Sequence, residues 1–481
     1  MQPVISSLVL ADSLTLLKEW YDSGVREFID LNYNDPTFNS DKSYSVQLDP
    51  ETETTETAYE DFWTNVEYFN VLDNFKKYDP NFHSFLTYYL PILPHDSFRS
   101  YLTHMGIIYW FAHKMLKPTG SFYHHCDPTT SHYIKPILDK IFDIKNFKNE
   151  IAWCYKTGGV SKVRFAQKHD IIFFYSKSDD YVFNPQREPK TSNEMQRALE
   201  IHPEEFFDDN DGNGRYTWYY RPGHKKYPGG VKQYLESYAR DYWDIPALTN
   251  MEKERLGLQT QKPEKLSQRV ILASSNPEDL VVDLFNGSGT TSAVAVKLKR
   301  KFIGVDINYR MIQLTIERLS KIGLEPKRDY FIDGIPTSSK ELRILVDSGI
   351  YGTSKNSKFG LQDVATKFYL IGVTPSIKKS GDHSIDGEFY FKFNNKHMKG
   401  IVQITSTATM NHLKAFGSEI SKGTADIGVY VTFEDTITKG MFKEAKSYGK
   451  IASIDKFQIL TFEELIDRQK QFEIPKEILN V

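Results

Sequence analysis

Short apolar runs that end in an acidic residue recur along the chain, and they predict the strands of an α/β sheet. Residues 280–283 and 302–306 form two such runs, and residues 286–289 between them have the composition of a tight turn. The residues that follow the turn, 292–298, predict a helix. Strand, glycine turn, helix and strand together form half of a doubly wound sheet. The glycine spacing differs from Gly-x-Gly-x-x-Gly, so it does not favour a nicotinamide cofactor.

The N-terminal residues repeat this pattern. Apolar runs at 4–10 and 28–31 flank a helical segment with Asp12 or Ser13 as its N-cap, which predicts a strand, a helix and a strand. Asp35 follows the second strand, and open α/β sheets place functional groups at the carboxyl ends of their strands. Further along, the sequence predicts a surface loop at 40–66, a helix at 98–116, a turn at 117–120 and a strand at 121–127.

The composition describes a globular chain without a membrane segment. Its 481 residues suffice for two or three domains, and the formal charge of −3 gives no overall attraction to nucleic acid, so a DNA-binding face must be locally basic. Cys126 and Cys154 are the two cysteines, which excludes a disulfide framework and favours a reducing compartment. No apolar run reaches membrane-spanning length and the N-terminus lacks a signal pattern, so we expect a cytoplasmic protein that does not bind membranes.

Four segments carry a resemblance to a known family. The segment Asp283-Leu-Phe-Asn-Gly-Ser-Gly-Thr-Thr291 resembles the Asp-Pro-Phe-x-Gly-Ser-Gly-Thr-Thr segment of amino-group DNA methyltransferases that bind S-adenosylmethionine. Three shorter segments resemble further motifs of that family, in the order of its β class: Asp35-Pro-Thr-Phe38, Thr260-Gln-Lys-Pro263 and Val305-Asp306. The resemblance implies an α/β fold with a doubly wound, Rossmann-like, S-adenosylmethionine-dependent methyltransferase domain and an inserted target-recognition region.

The resemblance also implies which residues hold the cofactor. They surround the glycine turn and the strand ends beside it: Lys262, Asp283, Phe285, Gly287, Gly289, Thr290 and Asp306. An acid after a strand suits the ribose of such a cofactor, because a carboxylate accepts hydrogen bonds from both ribose hydroxyls.

The catalytic motif that the resemblance implies consists of Asp35, Pro36 and Phe38. The exocyclic amine of adenine or cytosine is a weak nucleophile, because its lone pair is delocalised into the ring. The Asp35 carboxylate and the Pro36 carbonyl would accept the amine hydrogens, and Phe38 would stack on the flipped base. Thr37 stands where the family usually has a second proline. Asp35 favours adenine N6 as the target, and cytosine N4 is the alternative.

Residues 155–250 resemble the target-recognition region of the family. Basic and aromatic residues are mixed irregularly with glycines, as in surfaces that contact phosphates and bases. We expect double-stranded DNA as the partner, bound by basic residues of this region: Lys156, Arg164, Arg215, Arg221 and Lys225. An insertion that contacts other proteins is the alternative. The histidines near Cys126 resemble active-site-wall residues of bacterial DNA methyltransferases, and their spacing predicts no metal site.

The tail, residues 336–481, predicts a smaller α/β domain after a methyltransferase domain at 1–335. Its order of strands and helices resembles the Mrr-like restriction-endonuclease domain. Asp386 matches the metal-binding acid of that nuclease core and Gln403 the first residue of Gln-x-Lys, whereas Thr405 replaces the catalytic lysine. Because the lysine cation is missing, we expect a nuclease-like remnant with weak cleavage activity or none.

Two alternatives to an active methyltransferase follow from the same residues. Thr37 and Thr405 would suit a catalytically inactive DNA-binding subunit of a restriction-modification or defence system. A metal-dependent nuclease that the methyltransferase half guides to DNA is the other alternative. A restriction subunit or a second copy of the chain is the protein partner that such a system would supply.

Overall fold

The computed structural model describes the greater part of the chain. The described residues are 6–39, 43–49, 54–60, 66–93, 95–155, 160–189, 207–209, 214–219, 231–249, 252–326, 328–336, 338–347, 351–352, 359–370, 372–375, 385–394 and 396–475. The chain divides into two compact units, Met1–Asp333 and Gly334–Val481. Each unit has a hydrophobic core of its own.

The strands of the first unit form one large sheet and several short ones. They are β1 Ser7–Leu10, β2 Ile29–Asn34, β3 Ser43–Asp49, β4 Thr54–Glu60, β5 Leu116–Cys126, β6 Phe147–Cys154, β7 His169–Ser176, β8 Arg187–Pro189, β9 Phe207–Asp209, β10 Gly214–Tyr219, β11 Val231–Tyr234, β12 Glu236–Tyr238, β13 Tyr242–Asp244, β14 Leu280–Asp283, β15 Lys301–Asp306 and β16 Phe331–Asp333. Among the described residues, nine strands form the large sheet in the order β13-β6-β7-β5-β2-β14-β15-β1-β16. Neighbouring strands are parallel except at β7, which is antiparallel to both β5 and β6.

Helices cover both faces of this sheet. They are α1 Ser13–Asp22, α2 Val66–Phe75, α3 Pro80–Tyr89, α4 Asp96–Met115, α5 Pro128–Phe142, α6 Glu264–Ser274, α7 Thr290–Lys297 and α8 Tyr309–Ser320, with short 3-10 turns at Leu90–Ile92 and Ile144–Asn146. Leu280 and Val282 of β14 share a core with α1, α4 and α5. Val281 and Asp283 point to the opposite face, because side chains alternate along a strand. On that side α6 contacts α7 and β2, α7 contacts β14 and β15, and α8 contacts α7, β15 and β1. The predicted doubly wound arrangement is therefore confirmed.

The predicted strand, helix and strand at the N-terminus are also confirmed. Asp12 is the N-cap of α1, and its carboxylate accepts from the backbone N–H of Thr15 at 3.0 Å. The strand β1 is parallel to β15, and β2 is parallel to β14. The parallel strands β1, β2, β14 and β15 therefore end at the same edge of the sheet.

Two predictions about connecting segments are wrong. The predicted surface loop at 40–66 contains an antiparallel hairpin of β3 and β4. Threonine and tyrosine favour extended backbone, so the polar composition of this segment does not prevent strand formation. The predicted turn at 117–120 lies inside β5, where the pairing with β2 shifts register. Lys117 stabilises this bulge by donating to both carboxylate oxygens of Asp30, at 2.7 and 2.8 Å.

The second unit is a smaller α/β structure. Its strands are β17 Tyr351–Gly352, β18 Phe359–Gly360, β19 Thr374–Pro375, β20 Gly387–Phe393, β21 Lys396–Ile404, β22 Ile427–Thr432, β23 Lys450–Ile451, β24 Ile454–Asp455 and β25 Phe457–Thr461. Its helices are α9 Ser339–Asp347, α10 Leu361–Val364, α11 Met410–Ser421 and α12 Lys439–Lys446, with π turns at Ala365–Tyr369 and Glu463–Asp467. The strands β19-β20-β21-β22-β25 form one sheet in that order. Within the ranges described for the whole chain, no helix has the length and apolarity needed to cross a bilayer.

The close packing of Gly304 against the glycine turn gives a test of the fold. A methyl group at this position of β15 would lie 2.7 Å from Asn286 Cγ and from Ser292 Oγ. We expect Gly304→Ala to destabilise the first unit by about 1–3 kcal/mol, because overpacking forces buried neighbours apart. Urea unfolding followed by tryptophan fluorescence measures the effect in this unit, since all six tryptophans belong to it. An unfolding midpoint equal to that of the wild type would contradict the packing described here.

Candidate functional site

A cavity of about 460 Å³ opens at the edge of the large sheet where β2, β14 and β15 end. Nine of the residues predicted from the sequence line it: Asp35, Pro36, Phe38, Lys262, Asp283, Phe285, Gly287, Thr290 and Asp306. Thr37, at which the sequence departs from the family motif, lines it as well. Residues more than 200 positions apart meet here because parallel strands bring their carboxyl ends to one edge.

The glycine turn between β14 and α7 is fixed by the buried side chain of Asn286. Its Nδ2 donates to Thr315 Oγ1 at 2.8 Å, and its Oδ1 accepts from Ser292 Oγ at 2.6 Å. Gly287 and Gly289 have φ angles of +50° and +73°, which favour glycine. Gly287 lines the cavity, whereas a Cβ at Gly289 would lie 2.5 Å from Thr315 Oγ1. Gly289 therefore allows the turn to close onto α8, while Gly287 faces the cavity.

Two acids at the strand ends have raised pKa values. Burial raises the pKa of Asp283 to about 7, and nearby carboxylates add to this shift, while two hydrogen bonds oppose it. Burial also raises the pKa of Asp306 to about 7, although its oxygens accept from the backbone N–H groups of Gly287 and Asn308, both at 2.8 Å. Each carboxyl is close to its midpoint at neutral pH. A ligand that offers hydroxyl groups or positive charge would favour the charged form.

Asp35 and Lys262 form an ion pair in the cavity. The Lys262 Nζ lies 2.8 Å from both carboxylate oxygens of Asp35 and 5.0 Å from the centroid of the Phe38 ring. Each Asp35 oxygen still has a second lone pair, and the ammonium group still has a third hydrogen. The resemblance assigns Lys262 to the cofactor, and the structure places its ammonium group on the predicted catalytic acid.

The sequence does not reveal a histidine–aspartate pair that lies behind Asp35. The fully buried His125 has its Nε2 3.1 Å from Asp170 Oδ2 and its Nδ1 3.5 Å from Asp35 Oδ1. The Tyr155 hydroxyl donates to Asp170 Oδ1 at 3.1 Å. The sequence assigns His125 only to the wall of the site, because the contact with Asp170 depends on the antiparallel pairing of β5 with β7. The local signals are the His-Cys-Asp-Pro and Lys-His-Asp segments, but their spacing does not show which side chains meet.

Two of the predicted DNA-binding residues lie in the described part of the chain. Arg164 is exposed on the segment that joins β6 to β7, and Phe165 beside it is 100% exposed. Arg215 is exposed on β10, the central strand of the sheet β11-β10-β9. Neither arginine lines the cavity. The other three predicted residues lie outside the described residues: Lys156, Arg221 and Lys225.

In the second unit, the two residues of the predicted nuclease remnant are neighbours. Gly387 of β20 pairs with Val402 of the antiparallel strand β21. Asp386, the residue before Gly387, therefore lies beside Gln403, the residue after Val402. The Asp386 carboxylate accepts from the backbone N–H of Ile404 at 2.7 Å, and Gln403 is buried.

A family of known proteins matches the unit that contains the cavity. The family model described as DNA methylase (N6_N4_Mtase) matches residues 29–317, more than half of the chain. The chain is 35% identical over 213 residues to the DNA adenine methyltransferase YhdJ of Escherichia coli. This aligned region covers 43% of the present chain and 63% of that protein. The present chain is 31% identical over 209 residues to the type II methyltransferase M.HpaI of Haemophilus parainfluenzae. This second aligned region covers 43% of the present chain and 56% of that protein. For the type II methyltransferase M1.MboII of Moraxella bovis the identity is 32% over 222 residues, 44% of this chain and 78% of that protein. The chain thus spans about six tenths of the length of the first two relatives.

The raised pKa of Asp283 predicts how stability depends on pH. The carboxyl titrates near 3.8 in an unfolded chain and near 7 in the folded one, so the folded state holds the proton more tightly. Its contribution to stability is therefore present below pH 4 and is lost as the pH rises to about 7. The wild type should therefore lose stability relative to Asp283→Asn between pH 4 and pH 7. We expect the urea midpoint of Asp283→Asn minus that of the wild type to increase over this range and then to level off.

The control for this prediction is Glu19→Gln, at an exposed acid of α1. Its difference from the wild type should stay constant over the same pH range. If the Asp283→Asn difference were equally constant, the raised pKa would be wrong.

Proposed function

The chain belongs to the DNA methylase family, and we propose that it transfers a methyl group from S-adenosylmethionine to an exocyclic amine of a flipped base in double-stranded DNA. The observation that carries this proposal is the meeting of Asp35, Pro36 and Phe38 with the glycine turn and Asp306 in one cavity. Adenine N6 is the favoured target, which Asp35 and the 35% identity to a protein named DNA adenine methyltransferase both support. Cytosine N4 is the alternative target.

The donor set of the cavity fits S-adenosylmethionine. This cofactor combines a ribose diol, an adenine ring, a positive sulfonium and an amino-acid end. Asp306 would accept from the diol, the charged form of Asp283 would be favoured by the positive groups, and Lys262 would bind the carboxylate. Leu258 and Ile307 add apolar surface for the adenine ring. The volume of about 460 Å³ suits a ligand of this size, because such pockets measure about 300–1,000 Å³. The remaining predicted cofactor residues would complete the pocket: Phe285, Gly287, Gly289 and Thr290.

The catalytic motif acts on the base amine. When bound, S-adenosylmethionine supplies an electrophilic methyl group. Asp35 would accept one amine hydrogen and the Pro36 carbonyl the other, which directs the nitrogen lone pair away from the ring system. Phe38 would stack on the flipped base and hold it in place. Thr37 supplies no donor or acceptor that this scheme needs.

Lys262 connects the cofactor pocket with the catalytic acid. Its ammonium group lies 2.8 Å from both carboxylate oxygens of Asp35 and neutralises their charge. The third ammonium hydrogen is the one that a carboxylate ligand would use. We therefore assign Lys262 both to the cofactor pocket and to the catalytic motif. Its positive charge reduces the repulsion among the three acids of the cavity, Asp35, Asp283 and Asp306.

The region at 155–250 would recognise the DNA target. Exposed arginines contact phosphates and base edges, and exposed apolar side chains enter the base stack when DNA is distorted. Arg164 and Phe165 offer both kinds of contact on one segment, and Arg215 adds a basic residue on β10. Lys156, Arg221 and Lys225 are further candidates on sequence grounds alone.

We assign residues 1–335 to the methyltransferase domain and 336–481 to an Mrr-like, restriction-endonuclease-type domain. The adjacent positions of Asp386 and Gln403 support the second assignment. Thr405 stands at the position of the catalytic lysine, so we expect this domain to be degenerate as a nuclease. Protein partners would be a restriction subunit or a second copy of the chain.

Replacement of Asp35 tests the proposed reaction. The measurement is transfer of labelled methyl from S-adenosylmethionine to unmethylated genomic DNA, followed by digestion to nucleosides, which identifies the base. We expect label in N6-methyladenine and a loss of at least about 10²-fold in Asp35→Ala, because the acceptor for the amine hydrogen is removed. Cofactor binding should persist in this variant. Asp73→Ala, at an exposed acid, is the matched control. Wild-type rates in Asp35→Ala would overturn the catalytic assignment.

Replacement of Lys262 tests the cofactor pocket. We expect Lys262→Met to weaken S-adenosylmethionine binding by about tenfold to a hundredfold, because hydrogen bonds to charged groups contribute roughly 1.5–3 kcal/mol. Isothermal titration calorimetry measures this change. Lys265→Met, at an exposed lysine three positions away, should bind like the wild type. Equal affinities of the two variants for S-adenosylmethionine would contradict the assignment of Lys262 to cofactor binding.

A further inference from the structure

We infer that His125 is a positioning residue for the methyl-transfer step and takes up, by way of Asp35, the proton that the base amine loses. The inference rests on the proposed function, because it concerns the same cavity and the same reaction. Its basis is a row of four side chains that begins at the cavity: Asp35, His125, Asp170 and Tyr155.

The two ring nitrogens of His125 have different surroundings. Nε2 lies 3.1 Å from Asp170 Oδ2 and forms a hydrogen bond, whereas Nδ1 lies 3.5 Å from Asp35 Oδ1 and does not. Within the described part of the chain, Nδ1 is buried and has no hydrogen-bond partner. A buried polar atom without a partner is unfavourable for folding. Its position beside the catalytic acid therefore points to a use during the reaction, where such contacts shorten.

The state of Asp170 decides which nitrogen of His125 carries the proton. Burial raises the pKa of Asp170, but the hydrogen bond and charge of His125, the charge of Lys262 and the hydrogen bond from Tyr155 outweigh it and lower the pKa below its ordinary value. Asp170 is thus a carboxylate and can only accept. Nε2 of His125 must then be the donor, and in the neutral ring Nδ1 has a free lone pair that faces Asp35.

Aromatic rings hold the imidazole in this orientation. The centroid of the Phe38 ring lies 5.7 Å from that of His125, and Trp153 packs edge-on at 5.4 Å. The Trp153 indole N–H donates to the Ile245 carbonyl at 2.8 Å, which fixes this ring in turn. Because Phe38 is also the residue that would stack on the base, a bound base would be aligned with the same row of side chains.

Charged and titratable groups face His125 from several elements. The carboxylates of Asp35 and Asp170 face it from two elements, and Lys262 opposes them from the segment before α6. His124, its neighbour on β5, is neutral near pH 7, because burial lowers its pKa to about 3. The Tyr155 hydroxyl on the β6 side is bound to Asp170.

The proton balance of the step is simple. The amine nitrogen forms a bond to the methyl carbon while the carbon–sulfur bond of the sulfonium breaks and leaves a neutral thioether. The nitrogen then carries one proton too many and releases it to the Asp35 carboxylate. Asp35 passes this proton to Nδ1 of His125, and the resulting imidazolium is stabilised by Asp170. Asp35 is again a carboxylate, and the proton leaves the imidazolium for solvent when the product departs.

The first test observes the histidine without any reaction. ¹⁵N NMR of the histidine-labelled full chain at pH 8, with His125→Gln to assign the signal, reports which nitrogen is protonated. We expect a proton on Nε2 and none on Nδ1. A proton on Nδ1 alone would overturn the inference, because that nitrogen could not accept.

The second test uses single-turnover methyl transfer between pH 6 and pH 9. The wild-type rate should rise with pH through an ionisation that requires His125. His125→Gln keeps a donor for Asp170 but has no basic nitrogen, so the rate should fall by about 10²-fold and lose this ionisation, with unchanged cofactor affinity. Asp170→Asn removes the anion that stabilises the imidazolium, so the ionisation should move to lower pH. His397→Gln, at an exposed histidine of the second unit, is the control.

The outcomes separate this inference from the proposed function. A wild-type chain that transfers no methyl group would overturn both. Transfer by the wild type with the same rate and pH profile in His125→Gln would overturn the inference alone. If His125→Gln does not fold or bind the cofactor, Asp170→Asn decides: a shifted ionisation supports the relay, and an unchanged pH profile overturns it.

Discussion

The parallel pairing of β2, β14 and β15 is the constraint on which the site depends. Parallel strands bring their carboxyl ends to one edge, so Asp35, Asp283 and Asp306 must approach one another there. Three acids in one cavity repel each other. The structure reduces this repulsion in two ways: burial raises the pKa of Asp283 and Asp306 to about 7, and Lys262 neutralises Asp35. The cavity is thus prepared for a ligand that brings hydroxyl groups and positive charge.

The sequence predicts the parts of this arrangement that depend on local pattern. The apolar run with an acid at its end gives β14 and β15, and the turn residues give the tight connection through Gly287. Motif resemblance then identifies nine of the residues that line the cavity. The predictions of strands and turn succeed because strand ends and glycine turns are encoded within a few neighbouring residues.

Contacts between distant strands are what the sequence does not predict. The pair His125–Asp170 depends on the register of β5 against β7, and the bulge at Lys117 depends on its contact with Asp30 of β2. The hairpin of β3 and β4 shows a different limit, because a polar, threonine-rich segment resembles a loop in composition. The ion pair of Lys262 with Asp35 joins two motifs that the sequence assigns to separate tasks. Each of these features requires the positions of atoms that are far apart in the chain.

A crystal structure of the chain with S-adenosylmethionine is the measurement that tests the central claim most directly. The account predicts density for the cofactor in the cavity at the strand ends, with the ribose hydroxyls on Asp306 and the carboxylate within reach of the Lys262 ammonium group. Density for the cofactor at another place on the chain, with this cavity empty, would contradict it.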